Sequence, residues 1–216
     1  MPPGRPQFRI VRTSWFVRVL VVVSLLGLVA VTQRLWTPIV GRSLVCSGQT
    51  ASADAILIEN FDPNYLLFER ASALYQAKAA QKIFVSATAG ADGQPSLVDR
   101  GVIDVMVRVA RLAPPEVIPI RETEPIAFNT VKQIRTVLVE SGIRSVIVVT
   151  SGFRSRRSSL VYLAVLGQAG IAVSCDPVFG QHTPENWTRT WHGIEDVTEQ
   201  FFKLQYYRFY VMPIYS

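Results

Sequence analysis

Val146-Ile147-Val148-Val149-Thr150-Ser151-Gly152-Phe153-Arg154-Ser155-Arg156-Arg157 joins an apolar run, a Thr-Ser-Gly turn and three arginines. A continuous β-branched run bounded by turn residues reads as a strand buried on both faces. The turn then falls at the strand's carboxyl end, where open α/β sheets place their ligands. Backbone N–H groups opening the next helix, with guanidinium groups beside them, favour an anion such as phosphate or carboxylate. Thr150, Ser151, Arg154 and Arg157 are therefore candidate ligand contacts.

The other strand ends collect a polar rim. Glu59, Asn60 and Asp62 follow the first strand-like run, Ser86 and Thr88 the second, and Glu122, Glu124 and Asn129 the third. Asp176, Gln181 and His182 follow the last. Glu59 and Glu122 each terminate a strand and are the candidate catalytic carboxylates. They suit an acid/base pair or a divalent-cation site. They equally suit an ion-pair network with Arg70 and Arg154, which is the favoured reading. His182 precedes Thr183-Pro184-Glu185-Asn186, a helix-start pattern, so a capping neighbourhood is its favoured role. Ser151 lacks the Gly-x-Ser-x-Gly surroundings of a nucleophile elbow. No P-loop and no Gly-x-Gly-x-x-Gly occurs, and two cysteines with two histidines make a poor structural zinc set. No metal is assigned and the cofactor is left open.

These residues need elements to position them, and the hydrophobic pattern alternates accordingly. Strand-like runs lie at Ala55–Ile58, Ile83–Val85, Val117–Ile120, Ile143–Val149 and Ile171–Cys175. Helical stripes lie at Tyr65–Lys78, Val102–Leu112, Ile126–Ser141, Arg156–Gln168 and Asp196–Tyr210. Short connections between alternating strands and helices imply βαβ units. The expected fold is α/β: a Rossmann-like, doubly wound, mostly parallel sheet, preceded by one N-terminal transmembrane helix. Cys175 reads as a small buried apolar residue. A disulfide with Cys46 is allowed outside the cell but not implied.

The charge is uneven. Of 22 basic residues, six arginines precede Asp54 with no acid among them, leaving sixteen bases against sixteen acids in the remainder. A neutral folded part offers no stripe for a phosphate backbone, so nucleic acid is not an expected partner. Trp15 to Val31 is apolar apart from Arg18 and Ser24, which meets the lower limit for a span if that arginine snorkels. Arg5, Arg9 and Arg12 precede it, which holds the N-terminus in the cytoplasm. A cleaved signal peptide, with Leu28-Val29-Ala30 as its site, is the main rival to an uncleaved anchor. The expected organisation is a basic arm over 1–14, an anchor over 15–36, a linker over 37–53 with a Ser/Gly/Thr-rich tether at Gly41–Ser52, and an α/β domain over 54–216.

Several of these residues, in this order, resemble the ElyC/SanA/YdcF family. The likeness rests on Asp54-Ala55-Ile56, on Arg70-x-x-x-Leu74-Tyr75 before Ile83-Phe84-Val85-Ser86, on Glu122…Asn129, and on Val149-Thr150-Ser151-x-Phe153-x-x-x-Arg157, with Trp191 downstream. The resemblance implies a Rossmann-like domain often held by an N-terminal membrane segment. It implies a link to bacterial envelope biogenesis, and one member is associated with S-adenosylmethionine. It also implies that Arg70, Glu122, Asn129, Thr150, Ser151 and Arg157 line the site. The chain departs from the family at Glu59-Asn60-Phe61-Asp62 and Ser86-Ala87-Thr88, where glycine-rich turns are usual. It departs again at Pro125-Ile126-Ala127, and at Arg154, where histidine is usual. A permanent cation in place of a titrating imidazole moves the expected chemistry from proton transfer toward anion binding. The expected protein is anchored in the bacterial cytoplasmic membrane with its domain outside. It binds an anionic small molecule or lipid headgroup; an enzyme of envelope intermediates and a protein-interaction module built on Phe201, Phe202, Tyr206, Tyr207 and Tyr210 are the alternatives.

Overall fold

The computed structural model describes residues 14–48, 52–59 and 64–215. Arg5, Arg9 and Arg12 of the basic arm, and Asn60 and Asp62 of the rim, lie outside the described residues. Five strands form one sheet: β1 (Ala55–Ile58), β2 (Lys82–Thr88), β3 (Glu116–Ile120), β4 (Ser145–Ser151) and β5 (Ala172–Val178). Their order is β3-β2-β1-β4-β5, and every pairing is parallel. The chain thus works outward from β1 in one direction, then returns to place β4 on β1's other side. That reversal makes the β1/β4 boundary the topological switch point. Pro119 and Pro177 fall in β3 and β5, the two edge strands, where a missing N–H is tolerated.

Helices cover both faces, as a parallel sheet requires. Ile56, Ile58, Ile83, Val85, Ile147 and Val149 turn to one side and pack against α2 (Tyr65–Gln76) and α3 (Leu97–Val109) through Phe68, Ala71 and Ile103. Ala55, Leu57, Phe84, Val146 and Val148 turn to the other. They meet α4 (Ile126–Glu140) and α5 (Ser155–Gly167) through Phe128, Ile134, Val161 and Val165. The alternation within each strand is the period of two that assigns neighbouring residues to opposite faces. The terminal helix α6 (Trp191–Tyr206) passes through a π-helical turn, Tyr207–Val211, into α7 (Met212–Tyr215). Tyr207 and Val211 are buried in the α4/α5 face, whereas Phe202, Tyr206, Phe209 and Tyr210 are exposed.

Asp54 fastens the sheet at the end opposite the switch-point rim. Its carboxylate accepts the N–H groups of Arg144 and Ser145, both at 2.9 Å. These bonds, that from Arg144 foremost, hold its pKa below the ordinary carboxylate value. A depressed folded pKa contributes stability above the unfolded value, and that contribution disappears as pH falls through the folded one. Asp54→Asn is therefore expected to be less stable than the parent at about pH 7, with the gap closing at about pH 2. Urea unfolding at both values checks this; a gap independent of pH contradicts it.

At the N-terminus, α1 runs from Trp15 to Ser43, and its most apolar window has a mean hydropathy of 2.3 with none of it buried. At 1.5 Å per residue its length is about 43 Å, against about 30 Å of bilayer hydrocarbon. It is one helix long and apolar enough to cross a membrane. The chain divides into two units between Thr37 and Pro38. Residues from Pro38 onward belong with the sheet domain, which corrects the expected tether. Leu44 is fully buried with Phe153, Trp187 and Val197, and Arg42 pairs with Glu185 at 3.0 Å. Cys46 forms a disulfide with Cys175 of β5 across 129 positions of sequence, so Cys175 is buried as the sequence suggested, and the disulfide that the sequence allowed without implying is formed. A serine- and glycine-rich composition describes a flexible chain only where no side chain is anchored, and here Leu44 and Cys46 are anchors.

Candidate functional site

Glu59 is the first residue beyond β1, and the register that pairs Ile58 with Val149 sets it beside Thr150 at the end of β4. Its side chain is buried, only 3 % exposed, and a buried carboxylate needs donors. Thr150 Oγ1 donates a hydrogen bond to Oε2. Ser158 Oγ, one turn into α5, lies 2.9 Å from Oε1 and 2.7 Å from Oε2. Glu59 thus joins three elements at the switch point.

A cavity of about 280 Å³ opens above it. α5 supplies one wall through Arg157, Ser158, Val161 and Tyr162, with Arg154 just before the helix; these positions repeat at helical spacing and so share one face. α4 contributes Ile126, Ala127 and Val131, the preceding loop contributes Glu124, and the terminal segment closes the space with Lys203, Tyr206 and Tyr207. The Tyr207 hydroxyl accepts the Ala127 N–H at 3.1 Å, locking the C-terminal turn to the start of α4.

Two donors in this cavity are buried without a protein acceptor among the described residues: Arg157 Nε and the Tyr162 hydroxyl. The Arg157 guanidinium donates to Gln200 Oε1 at 3.2 Å and lies 5.4 Å over the Tyr207 ring. Burial, and next the neighbouring charge of Arg154, draw its pKa below the usual guanidinium value, against the opposing pull of Glu59. It remains a cation at neutral pH. Burial, with the Glu59 charge second, pushes the Tyr162 phenol well above its ordinary value. That hydroxyl is a permanent donor at physiological pH. Lys203 is occupied by an ion pair with Glu199 one turn earlier in α6. Asp196 of α6 also senses Arg154; its pKa is raised, by burial first and Glu199 second, while Arg154 opposes the rise.

The sequence-predicted residues separate into two groups. Glu59, Arg154 and Arg157 line the cavity, and Thr150 supports it from beneath through Glu59. Arg70 lies elsewhere, in a bidentate pair with the buried Asp176 of β5 at 2.8–3.2 Å. That replaces the expected pairing of Arg70 with Glu59 or Glu122. Asn129 spends its amide on the carbonyls of Thr123 and Glu124 and shapes the β3–α4 loop. Glu122 is exposed and lines a separate recess of about 30 Å³ with Ser86, Thr88 and Thr130. Ser151 ends β4 outside the cavity lining. The backbone at the start of α5 is less available than expected, because Ser155 N–H bonds to Gly152 O and Arg156 N–H to Leu44 O. Anion recognition here rests on side chains. No group of three His, Cys, Asp or Glu side chains among the described residues is arranged to hold a metal ion.

Ser158, Tyr162, Glu124, Lys203, Tyr206 and Tyr207 complete the cavity; the sequence placed Glu124 only on the general rim and Tyr206 and Tyr207 only in the interaction-module alternative, and did not single out the others. Ser158 and Tyr162 carried a signal: both place polar atoms on the stripe that otherwise buries α5. Tyr207 carried none, since its role depends on how the last helix folds back.

Sheet order and helix placement define a Rossmann-like, doubly wound α/β protein with a cavity at the switch point. No family model matches the chain, and no curated protein matches it. Among solved structures it is similar to a protein from the universal stress protein family of Burkholderia pseudomallei. The likeness covers 61% of this chain and 99% of that one, with 16% identity and a TM-score of 0.36.

Proposed function

We propose that this chain is a single-pass anchored protein of the bacterial envelope whose extracytoplasmic domain binds an anionic small molecule or lipid headgroup in the switch-point cavity. The role fits envelope or surface-polysaccharide biogenesis, as the resemblance to the ElyC/SanA/YdcF family implies. One observation carries the binding reading: Arg157 Nε and the Tyr162 hydroxyl are buried donors in the cavity lining that have no protein acceptor among the described residues. Leaving such groups unpaired costs about 1–3 kcal/mol each. A ligand rich in acceptor oxygens, and negatively charged to match the arginines, removes that cost.

The location rests on separate support. The basic arm before α1 favours a cytoplasmic N-terminus, and a disulfide persists outside the cytoplasm rather than within it. A C-terminal alkaline phosphatase fusion is expected to be active and a C-terminal cytoplasmic fluorescent reporter dark; the reverse pair contradicts the assignment. Binding is tested by thermal unfolding of the full chain against phosphate, sulfate and carboxylate compounds. A compound at 100 times its dissociation constant adds about 2.7 kcal/mol of stability. No shift with any anion contradicts the reading.

A second reading, an enzyme acting on a phosphorylated or glycosylated envelope intermediate, draws on the position of Glu59 in the cavity lining. Turnover of such an intermediate that survives in Glu59→Gln contradicts that role.

A further inference from the structure

The cavity lining carries groups of opposite chemical demand, and a simple anion satisfies only one kind. Arg157 Nε and the Tyr162 hydroxyl offer protons and lack protein acceptors among the described residues. Glu59, lining the same cavity, offers only acceptor oxygens. Its carboxylate has about four acceptor positions, and among the described residues the hydroxyls of Thr150 and Ser158 are the side-chain donors that reach it. Ser158 shares one proton between both oxygens, and a single hydroxyl cannot fill two positions. Glu59 therefore retains capacity toward the cavity. An anion lacking donors would leave those acceptor positions unfilled. A ligand carrying an anion at one end and a hydroxyl beside it satisfies both.

The walls narrow the class further. Tyr206 stands half exposed at the mouth, its ring stacked on Tyr210 at 5.3 Å, and Val131 and Val161 form an apolar side. Such surfaces accept the C–H faces of a sugar or glycerol skeleton. About 280 Å³ lies just below the usual range of small-ligand sites, the scale of one polyol unit. We infer that the cavity takes a phosphorylated polyol, whose phosphate oxygens accept from Arg157 and Tyr162 and whose hydroxyl donates to Glu59. This rests on the anion-binding reading above and adds the polyol.

Isothermal titration of the full chain in a polyoxyethylene detergent, free of sugar headgroups, separates the two. The probes are inorganic phosphate, glycerol 3-phosphate, glucose 1-phosphate, glucose 6-phosphate and unphosphorylated glucose. At least one polyol phosphate is expected to bind about tenfold or more tighter than inorganic phosphate, and glucose not at all. Glu59→Gln is expected to reduce that preference to about threefold or less while phosphate binding persists. Tyr162→Phe guards against a folding artefact. It removes a buried, unpaired hydroxyl, so the free protein's Tm rises by a few degrees while polyol-phosphate affinity falls about tenfold. Mixed micelles containing phosphatidylglycerol identify the source: tighter binding there than to glycerol 3-phosphate assigns a lipid headgroup, and the reverse a soluble metabolite. Equal binding of phosphate and every polyol phosphate, or an undiminished preference in Glu59→Gln, overturns the polyol inference and leaves the anion site standing. Failure of every phosphate, inorganic phosphate included, overturns both.

Discussion

Replacing Cys46 and Cys175 together with serine lowers the thermal midpoint by roughly 10–20 °C. The disulfide closes a loop spanning 129 positions, and removing a constraint of that size returns about 5 kcal/mol of chain entropy to the unfolded state. For a domain of this size each kcal/mol moves the midpoint by about 2–4 °C. The loss is also local. The strap around Cys46 is bonded to the turn that bears the arginines: Cys46 N–H donates to Ser155 Oγ at 3.0 Å, and Leu44 O accepts the Arg156 N–H at 2.9 Å. Ser155 in turn donates to Gly152 O. Reductant is therefore expected to lower the midpoint of the parent and to leave the double-serine variant unchanged. Calorimetry with and without reductant reads both; a parent insensitive to verified reduction contradicts the account.

Arg154→Ala/Arg157→Ala abolishes anion binding with little effect on folding. Hydrogen bonds to charged groups contribute about 1.5–3 kcal/mol each, so losing two weakens affinity by roughly a hundredfold to ten-thousandfold. The double variant gives up the Arg157 contacts with Gln200 and Tyr207, but it is expected to unfold cooperatively because Glu59 keeps its hydroxyl donors from Thr150 and Ser158. Arg156 is exposed and outside the cavity lining, so Arg156→Ala is the matched control with intact binding. Loss of cooperative unfolding in the double variant, or loss of binding in Arg156→Ala, contradicts the assignment.

Much of the fold was legible because strand and helix periods are local properties. Val146–Val149 could only be a doubly buried strand, and its carboxyl end located Arg154 and Arg157 before any tertiary contact was known. Glu59 followed from the same rule, since parallel strands share one rim. Pairings that cross the sheet were not legible. Arg70 reaches Asp176 because β5 lies beyond β4 in the sheet, an order that alternation alone does not specify. The tether reading failed for a related reason: composition weighed the serines and glycines of 41–52, while the decisive facts were the buried Leu44 and the partner of Cys46. Glu122 and Glu124 are two residues apart, yet they line different recesses. Only the path of the β3–α4 loop, held by Asn129, distinguishes them. Tyr162 was readable as an oddity, a phenol on a buried stripe, but its unpaired hydroxyl appears only once the surrounding helices are in place.

Direct titration of glycerol 3-phosphate into the full chain, its Arg156→Ala control and the Arg154→Ala/Arg157→Ala variant tests the switch-point cavity most directly. Saturable one-to-one binding to the parent and the control, absent from the double variant, is the predicted result. Equal binding by all three proteins would contradict the account by placing the anion somewhere other than beside Arg154 and Arg157.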